Sequence, residues 1–69
     1  MYLVAHYYPR EDGPSDDAEA IDALDGYDAE FAGVKTFWNM RSVFFRLYDG
    51  LHSAAEELGK KGFVTEILP

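Results

Sequence analysis

Residues 34–48 read VKTFWNMRSVFFRLY, and this stretch decides the fold. β-Branched and aromatic residues dominate two runs within it, Val34 to Trp38 and Ser42 to Tyr48, a composition typical of strands packed against a hydrophobic layer. The intervening Asn39-Met40-Arg41 has a length that suits a hairpin loop. The two runs are therefore predicted to be neighbouring antiparallel strands.

Both ends of the chain also have the composition of strands. Tyr2 to Tyr8 is rich in β-branched and aromatic residues and stops at Pro9, which has no N–H group to donate to a ladder. Phe63 to Leu68 has a similar composition and precedes Pro69. These segments are predicted to be the first and last strands.

A first amphipathic helix is predicted from Asp17 to Asp25. Its apolar side chains recur at helical spacing, at Ala20, Ile21 and Leu24. Ser15 or Asp16 can cap its first turn, and Asp16 with Glu19 three residues later resembles a capping box. Gly26 is the predicted stop, while Tyr27 to Ala32 fits either a further helical turn or a loop.

A second helix is predicted to start at Asp49 or Ser53 and to end before Gly62. Its apolar stripe consists of Leu51, Ala54, Ala55 and Leu58. Lys60 and Lys61 favour its C-terminus, where positive charge interacts well with the helix dipole.

The predicted order of elements is βαββαβ. This order matches the split-βαβ, ferredoxin-like α+β arrangement, in which two helices pack on one face of a four-stranded antiparallel sheet. A chain of 69 residues without repeats or linkers is predicted to form a single domain, residues 1–69. The shortness of the second strand leaves a three-stranded variant with more helix as the alternative.

The charge balance restricts the possible partners. Thirteen acids against six Lys and Arg give a net charge of −7, which disfavours direct binding to nucleic acid and to anionic membrane surfaces. The chain has no Cys, and it begins with Met1 to Val4 rather than with a basic, secretory start. We therefore expect a cytoplasmic protein without disulfides, cofactor or metal, either a monomer or a weak homodimer.

The acids are segregated along the chain. Residues 11–30 contain nine of the thirteen and no Lys or Arg: Glu11, Asp12, Asp16, Asp17, Glu19, Asp22, Asp25, Asp28 and Glu30. One interpretation is an ordinary solvated face. The other is a binding surface, because carboxylates on a folded element imitate the anionic surface of a nucleic acid and attract a basic groove. The segregation favours the second, since solubility alone does not require it.

A small, Cys-free chain with this run of carboxylates resembles the small acidic anti-CRISPR proteins of phages. The resemblance is one of overall style and not of a motif. It implies a non-catalytic inhibitor whose acidic surface competes with DNA for a basic, nucleic-acid-binding partner. The partner implied is a type I CRISPR effector complex (Cascade), and the location is the host cytoplasm if the gene belongs to a phage.

The alternative function uses the sheet face that the helices leave open. Side chains alternate along a strand, so one face of the first and third strands should present Val4, His6, Tyr8, Phe44, Arg46 and Tyr48. Exposed aromatic clusters often mark contact surfaces, and RNA-binding domains of this topology stack bases on such residues. Since the charge argues against RNA, a protein-interaction or dimerisation surface is the predicted role.

Catalytic and metal sites are not expected. Asp22, Asp25, Asp28 and Glu30 flank Gly26, but their register differs from that of a calcium-binding loop. His52 lies beside Asp49 and Ser53, although neighbours on one helical turn do not converge on a reacting atom. His6 with Arg46 is the pair that a small enzyme of this fold could use, and we expect no catalysis from it.

Overall fold

The computed structural model describes residues 1–9 and 13–69, and in these residues it has four strands and two helices. In chain order they are β1 (Tyr2–Tyr7), α1 (Asp17–Ala23), β2 (Ala29–Phe37), β3 (Met40–Leu47), α2 (Leu51–Lys60) and β4 (Val64–Leu68). The strands form one sheet in the order β2-β3-β1-β4, and every neighbouring pair is antiparallel. The predicted ferredoxin-like α+β fold is confirmed.

The β2–β3 hairpin is tighter than predicted. Phe37 pairs with Met40, so the turn consists of Trp38 and Asn39 alone, and Met40 and Arg41 belong to β3 and not to a loop. Trp38 takes a left-handed conformation with φ of 58°, and such positive φ values are what two-residue hairpin turns require. The sequence signal was missed because Asn or Gly, rather than Trp, usually occupies this conformation.

The second strand starts earlier than the composition indicated, at Ala29 instead of Val34. Its first half is poor in β-branched residues, and the register with β3 shifts between Phe31 and Gly33 because Ala32 is an extra, bulged residue. Gly33 has φ of 135°, which glycine adopts without a steric penalty. Tertiary pairing with β3 therefore outweighs the weak local preference for a strand.

The two helices begin in different ways. Asp16 caps α1, and its side chain and that of Glu19 form the predicted capping box. In contrast, α2 begins at Leu51 after Gly50, which has a left-handed conformation, so the predicted start at Asp49 or Ser53 is wrong. Among the described residues, no side chain caps this helix. The Ser53 hydroxyl instead lies 2.7 Å from the Tyr27 hydroxyl.

The hydrophobic core lies between the sheet and the two helices. Both helices contribute buried residues to it, including Ala20 of α1 and Leu58 of α2. The sheet contributes alternate residues of its central strands: Leu3, Ala5, Tyr7, Val43, Phe45 and Leu47. The opposite face of the sheet is therefore left without a helix. Neither helix in the described ranges is long and apolar enough to cross a bilayer.

Candidate functional site

The acidic segment of the sequence is divided by the fold into groups with different surroundings. Glu11 and Asp12 lie outside the described residues. Asp16 accepts a hydrogen bond from the Glu19 N–H at 3.2 Å, and the Glu19 carboxylate accepts from the N–H groups of Ser15 and Asp16. These backbone hydrogen bonds lower the pKa of Glu19. Both carboxylates therefore stabilise the start of α1 while remaining exposed.

Asp17 is engaged within the domain. Its carboxylate accepts two hydrogen bonds from Arg41, at 3.0 and 2.6 Å, and a third from the Tyr7 hydroxyl. The hydrogen bonds from Arg41 are the main reason that the pKa of Asp17 is lowered. Burial, followed by the interaction with Asp17, raises the pKa of Tyr7 to about 12. Asp17 thus joins α1 to the sheet, and little of its charge is available to a partner.

Three of the nine acids, in α1 and in the loop that follows it, remain as a candidate acidic surface. Asp22, Asp25 and Asp28 are exposed, and across residues 1–9 and 13–69 none of their side chains forms an ion pair or hydrogen bond. Lys61 approaches this surface, since it lines a shallow groove with Glu19 and Asp22. The acidic surface is therefore smaller than the run of acids in the sequence.

Glu30 lies on the opposite side of the molecule. It is in β2, where its Cα partner on β3 is Arg46. Because Arg46 alternates with the core residues Phe45 and Leu47, both Arg46 and Glu30 belong to the helix-free face of the sheet. The last acid of the segment therefore belongs to a different surface from Asp22, Asp25 and Asp28.

The helix-free face, called the open face below, is formed by residues from all four strands. The register places together Tyr2, Val4, His6, Glu30, Lys35, Phe37, Ser42, Phe44, Arg46, Val64, Glu66 and Leu68. His6, Phe44 and Arg46 occupy this face as predicted. Tyr8 and Tyr48 follow the ends of β1 and β3 and are exposed, at 49% and 73%. Val4 is on the same face but only 1% exposed, so neighbouring groups cover it. It therefore offers almost no area for contact with a partner.

A groove of about 670 Å³ crosses the open face at the β2 side. Two cations line it beside aromatic rings. The Lys35 ammonium lies 5.8 Å from the centre of the Phe44 ring, and the Arg46 guanidinium lies 5.4 Å from that of Tyr2. Arg46 also donates a hydrogen bond of 2.8 Å to the Tyr2 hydroxyl. The hydrogen bond to Tyr2 is the main reason that the pKa of Arg46 is raised.

The hairpin turn adds exposed aromatic area next to the groove. Phe37 is 68% exposed and Trp38 is 86% exposed, and their rings meet edge to face at 6.1 Å. Tyr2, Lys35, Phe37 and Trp38 were not among the residues predicted from the sequence to bind a partner. Lys35, Phe37 and Trp38 were missed because the two-residue turn at Trp38 and Asn39 sets the register that places Lys35 and Phe37 on the open face. Tyr2 lies on this face by the same alternation as Val4 and His6.

His6 connects two residues of the open face, Ser42 and Glu66. Its Nδ1 lies 2.7 Å from the Ser42 hydroxyl and its Nε2 lies 3.0 Å from the Glu66 carboxylate. Although this order of groups resembles a nucleophilic triad, Ser42 is only 6% exposed and lies in the floor of the sheet. The contact gives the buried Ser42 hydroxyl a hydrogen-bond partner.

The pair His6 and Arg46 does not converge on one point. In the register, His6 lies opposite Ser42, and Arg46 lies opposite Tyr2, four residues further along the strand. This spacing corresponds to about 13 Å along a strand, too far for two groups acting on one small substrate. Within the part of the chain that the structure describes, no group of three or more His, Asp or Glu side chains is arranged to hold a metal ion.

Comparison with known proteins gives no further assignment. No protein-family model, curated protein or solved structure matches the chain. The geometry of the open face and of the acidic surface therefore carries the functional proposal.

Proposed function

We propose that this chain is a non-catalytic binding domain that docks on a protein partner through the open face of its sheet. The observation that carries the proposal is the groove lined by Tyr2, Lys35, Phe44 and Arg46, next to the exposed Phe37 and Trp38. The helices cover only the other face of the sheet. An aromatic surface of this kind, which none of the described residues covers, is typical of an interaction site.

The chemistry of the groove supports this role. Tyr, Trp and Arg are the residue types that contribute most often to protein interfaces. Tyr2 is tied to Arg46 by a hydrogen bond and by a ring contact, so part of the conformational entropy of both side chains is lost before binding. Preorganised aromatic and cationic groups next to an apolar floor favour a partner segment with an apolar side chain and a carboxylate.

The conformation of Trp38 also supports a binding role. A left-handed conformation is unfavourable by roughly 1–2 kcal/mol for a residue with a Cβ atom, and Trp38 recovers little of this by burial because it is 86% exposed. Residues held in such conformations are concentrated at functional sites. Glycine would satisfy the turn equally well, so the presence of Trp favours a contact outside the domain.

The test begins by capturing the partner in cells. A photo-crosslinking amino acid is placed at Tyr48, beside the open face, and in a control at Glu56 on the exposed side of α2. A protein crosslinked from Tyr48 and not from Glu56 is then purified and titrated with wild-type protein and with Arg46→Glu. A loss of affinity of tenfold or more in Arg46→Glu supports the open face. Unchanged affinity in Arg46→Glu contradicts it.

The acidic surface carries a second candidate function, that of a competitor for a basic nucleic-acid site. The exposed carboxylates of Asp22, Asp25 and Asp28, which follow one another at intervals of three residues, favour it. Through the resemblance to acidic anti-CRISPR proteins, the proposed target is a type I CRISPR effector complex in the cytoplasm of a phage-infected host. Carboxylates on this surface would occupy the Arg and Lys side chains that otherwise hold DNA phosphates.

A gel-shift experiment separates the two candidates. The protein is added to purified type I effector complexes before labelled target DNA, at low and at high salt. Salt-dependent loss of DNA binding that disappears in Asp22→Lys/Asp25→Lys/Asp28→Lys but persists in Arg46→Glu supports the competitor. Undiminished DNA binding across the complexes contradicts it and leaves the open face as the functional surface.

A further inference from the structure

The bulge in β2 changes which of its residues share a face of the sheet, and this affects the outer edge of the strand. Among residues 1–9 and 13–69, β2 is the last strand on its side of the sheet, and it pairs at its inner edge alone, with β3. In a regular strand, residues an odd number of positions apart lie on opposite faces. Ala32 is an extra residue, so Glu30 and Lys35 both lie on the open face while Phe31 and Val34 both lie on the helix side.

The bulge has the same effect on the directions of the backbone N–H and C=O groups of β2. The Leu47 N–H donates to the Met1 carbonyl beside β1, so alternation along β3 directs the backbone groups of Arg46 and Ser42 towards β2. The N–H and C=O groups of their partners Glu30 and Lys35 therefore point towards β3. The residues next to Glu30 and Lys35 in the sequence direct their N–H and C=O groups away from the sheet. These residues are Ala29, Phe31, Val34 and Thr36.

Because of these two features, the outer edges of β2 in two copies of the chain can pair with each other. Two copies of β2 can lie antiparallel with a two-fold axis between Ala32 and Gly33. Phe31 of each copy then lies opposite Val34 of the other copy, and the N–H and C=O groups of both residues point towards the other strand. Such pairs exchange the two hydrogen bonds of an antiparallel ladder. In the same register Glu30 faces Lys35 of the other copy, so opposite charges meet twice on the open face.

We propose that this chain forms a two-fold symmetric homodimer in which the β2 edges of two copies pair in this register and join the two sheets into one. Charge complementarity between Glu30 and Lys35 and the covering of Phe31, which is 51% exposed, select a second copy as the occupant of the edge. A bulge usually interrupts edge pairing. Here the bulges of both copies meet at the axis, where Ala32 and Gly33 are small enough for the backbones to approach.

The inference goes beyond docking of a partner, since it concerns the edge of the sheet and needs no other protein. The dimer would also place two open faces side by side, with their grooves adjacent across the axis because Glu30 and Lys35 line each groove. A partner with two equivalent binding segments would then engage both copies at once.

The test uses charge reversal and exchange between variants, read by sedimentation and native mass spectrometry of the purified full chain. Wild type is expected at twice the chain mass of 7.8 kDa. Glu30→Lys and Lys35→Glu alone each place like charges opposite each other in the dimer, so each is expected to dissociate at least tenfold more readily. When they are mixed, with one of them labelled with ¹⁵N, both contacts regain opposite charges and a heterodimer is expected to predominate.

A matched pair of variants on α2 controls for net charge. Glu56→Lys and Lys60→Glu make the same charge changes at exposed positions away from β2, and they are expected to dimerise like wild type and to mix statistically. A wild-type protein that stays monomeric overturns the proposal. So does a dimer that survives both single reversals, which would place the interface elsewhere, or a mixture in which the β2 variants show no preference for each other. Because no partner is present, none of these outcomes bears on docking at the open face.

Discussion

Asp17 at the start of α1 is held by Arg41 of β3 through two hydrogen bonds, and this contact is the direct charged connection between the first helix and the sheet within residues 1–9 and 13–69. Tyr7 of β1 completes the cluster by donating to the same carboxylate. Since α1 has only seven residues, its position depends strongly on such contacts. The cluster thus fixes the helix that carries Asp22 of the acidic surface.

Asp17→Asn is expected to destabilise the domain. The amide keeps the shape of the carboxylate but removes its charge and presents a donor to Arg41 or Tyr7, so the melting temperature should fall by roughly 5 °C, a typical effect for charge-assisted hydrogen bonds in a domain of this size. Thermal unfolding followed by circular dichroism measures the change. Asp22→Asn, which removes an exposed carboxylate of α1, is the control and should melt within about 1 °C of wild type. Equal melting of the two variants would contradict the role given to Asp17.

The same cluster predicts how stability depends on pH. The folded-state pKa of Asp17 is lowered, so its contribution is present above the pKa of the unfolded chain, near 4, and is lost as the pH falls through the folded-state value. The pKa of Tyr7 is raised to about 12, so its contribution is present below about 10 and is lost as the pH rises towards 12. Urea titrations from pH 2 to pH 12 should show both losses. Asp17→Asn should flatten the acid side, and Tyr7→Phe the alkaline side.

Much of the fold could be predicted from the sequence because hydrophobic spacing and helix starts are local signals. The inward residues of β1 and β3, the capping box of Asp16 and Glu19, and the order βαββαβ all follow from neighbours within a few positions. The start of β2 could not be found in this way. Its bulge and its pairing with β3 depend on contacts between distant parts of the chain, which propensity does not register.

The candidate site was only partly predictable for the same reason. His6, Phe44 and Arg46 lie on the expected face because β1 and β3 are regular strands. Glu30 shares that face with Lys35 only because of the bulge between them. The acidic segment looked continuous because position along the chain does not reveal that Asp17 turns inward to Arg41 or that Glu30 crosses to the other side of the sheet.

Val4 and Val64 provide a test of which parts of the open face are structural. Val4 is 1% exposed, whereas Val64 on the neighbouring strand is 68% exposed. Val4→Ala is expected to lower the free energy of unfolding by about 2 kcal/mol, through lost burial of methyl groups and the cavity left behind. Val64→Ala should change it by less than about 0.5 kcal/mol. Chemical denaturation of both variants measures the difference, and similar values would mean that the open face is not packed as described.

Gly33 and Gly59 make opposite predictions for the same substitution. Neither glycine has an atom within 4 Å of the position that a Cβ would take, so crowding does not distinguish them. Gly33 forms the bulge with φ of 135°, where alanine is strained, and Gly33→Ala should lower the free energy of unfolding by roughly 1–2 kcal/mol. Gly59 lies within α2, where alanine is the better helix former, and Gly59→Ala should raise it by roughly 0.5–1 kcal/mol. Urea denaturation measures both values. If Gly33→Ala proved neutral, β2 would not need the positive φ, and the bulge that aligns Glu30 with Lys35 would have to be built differently.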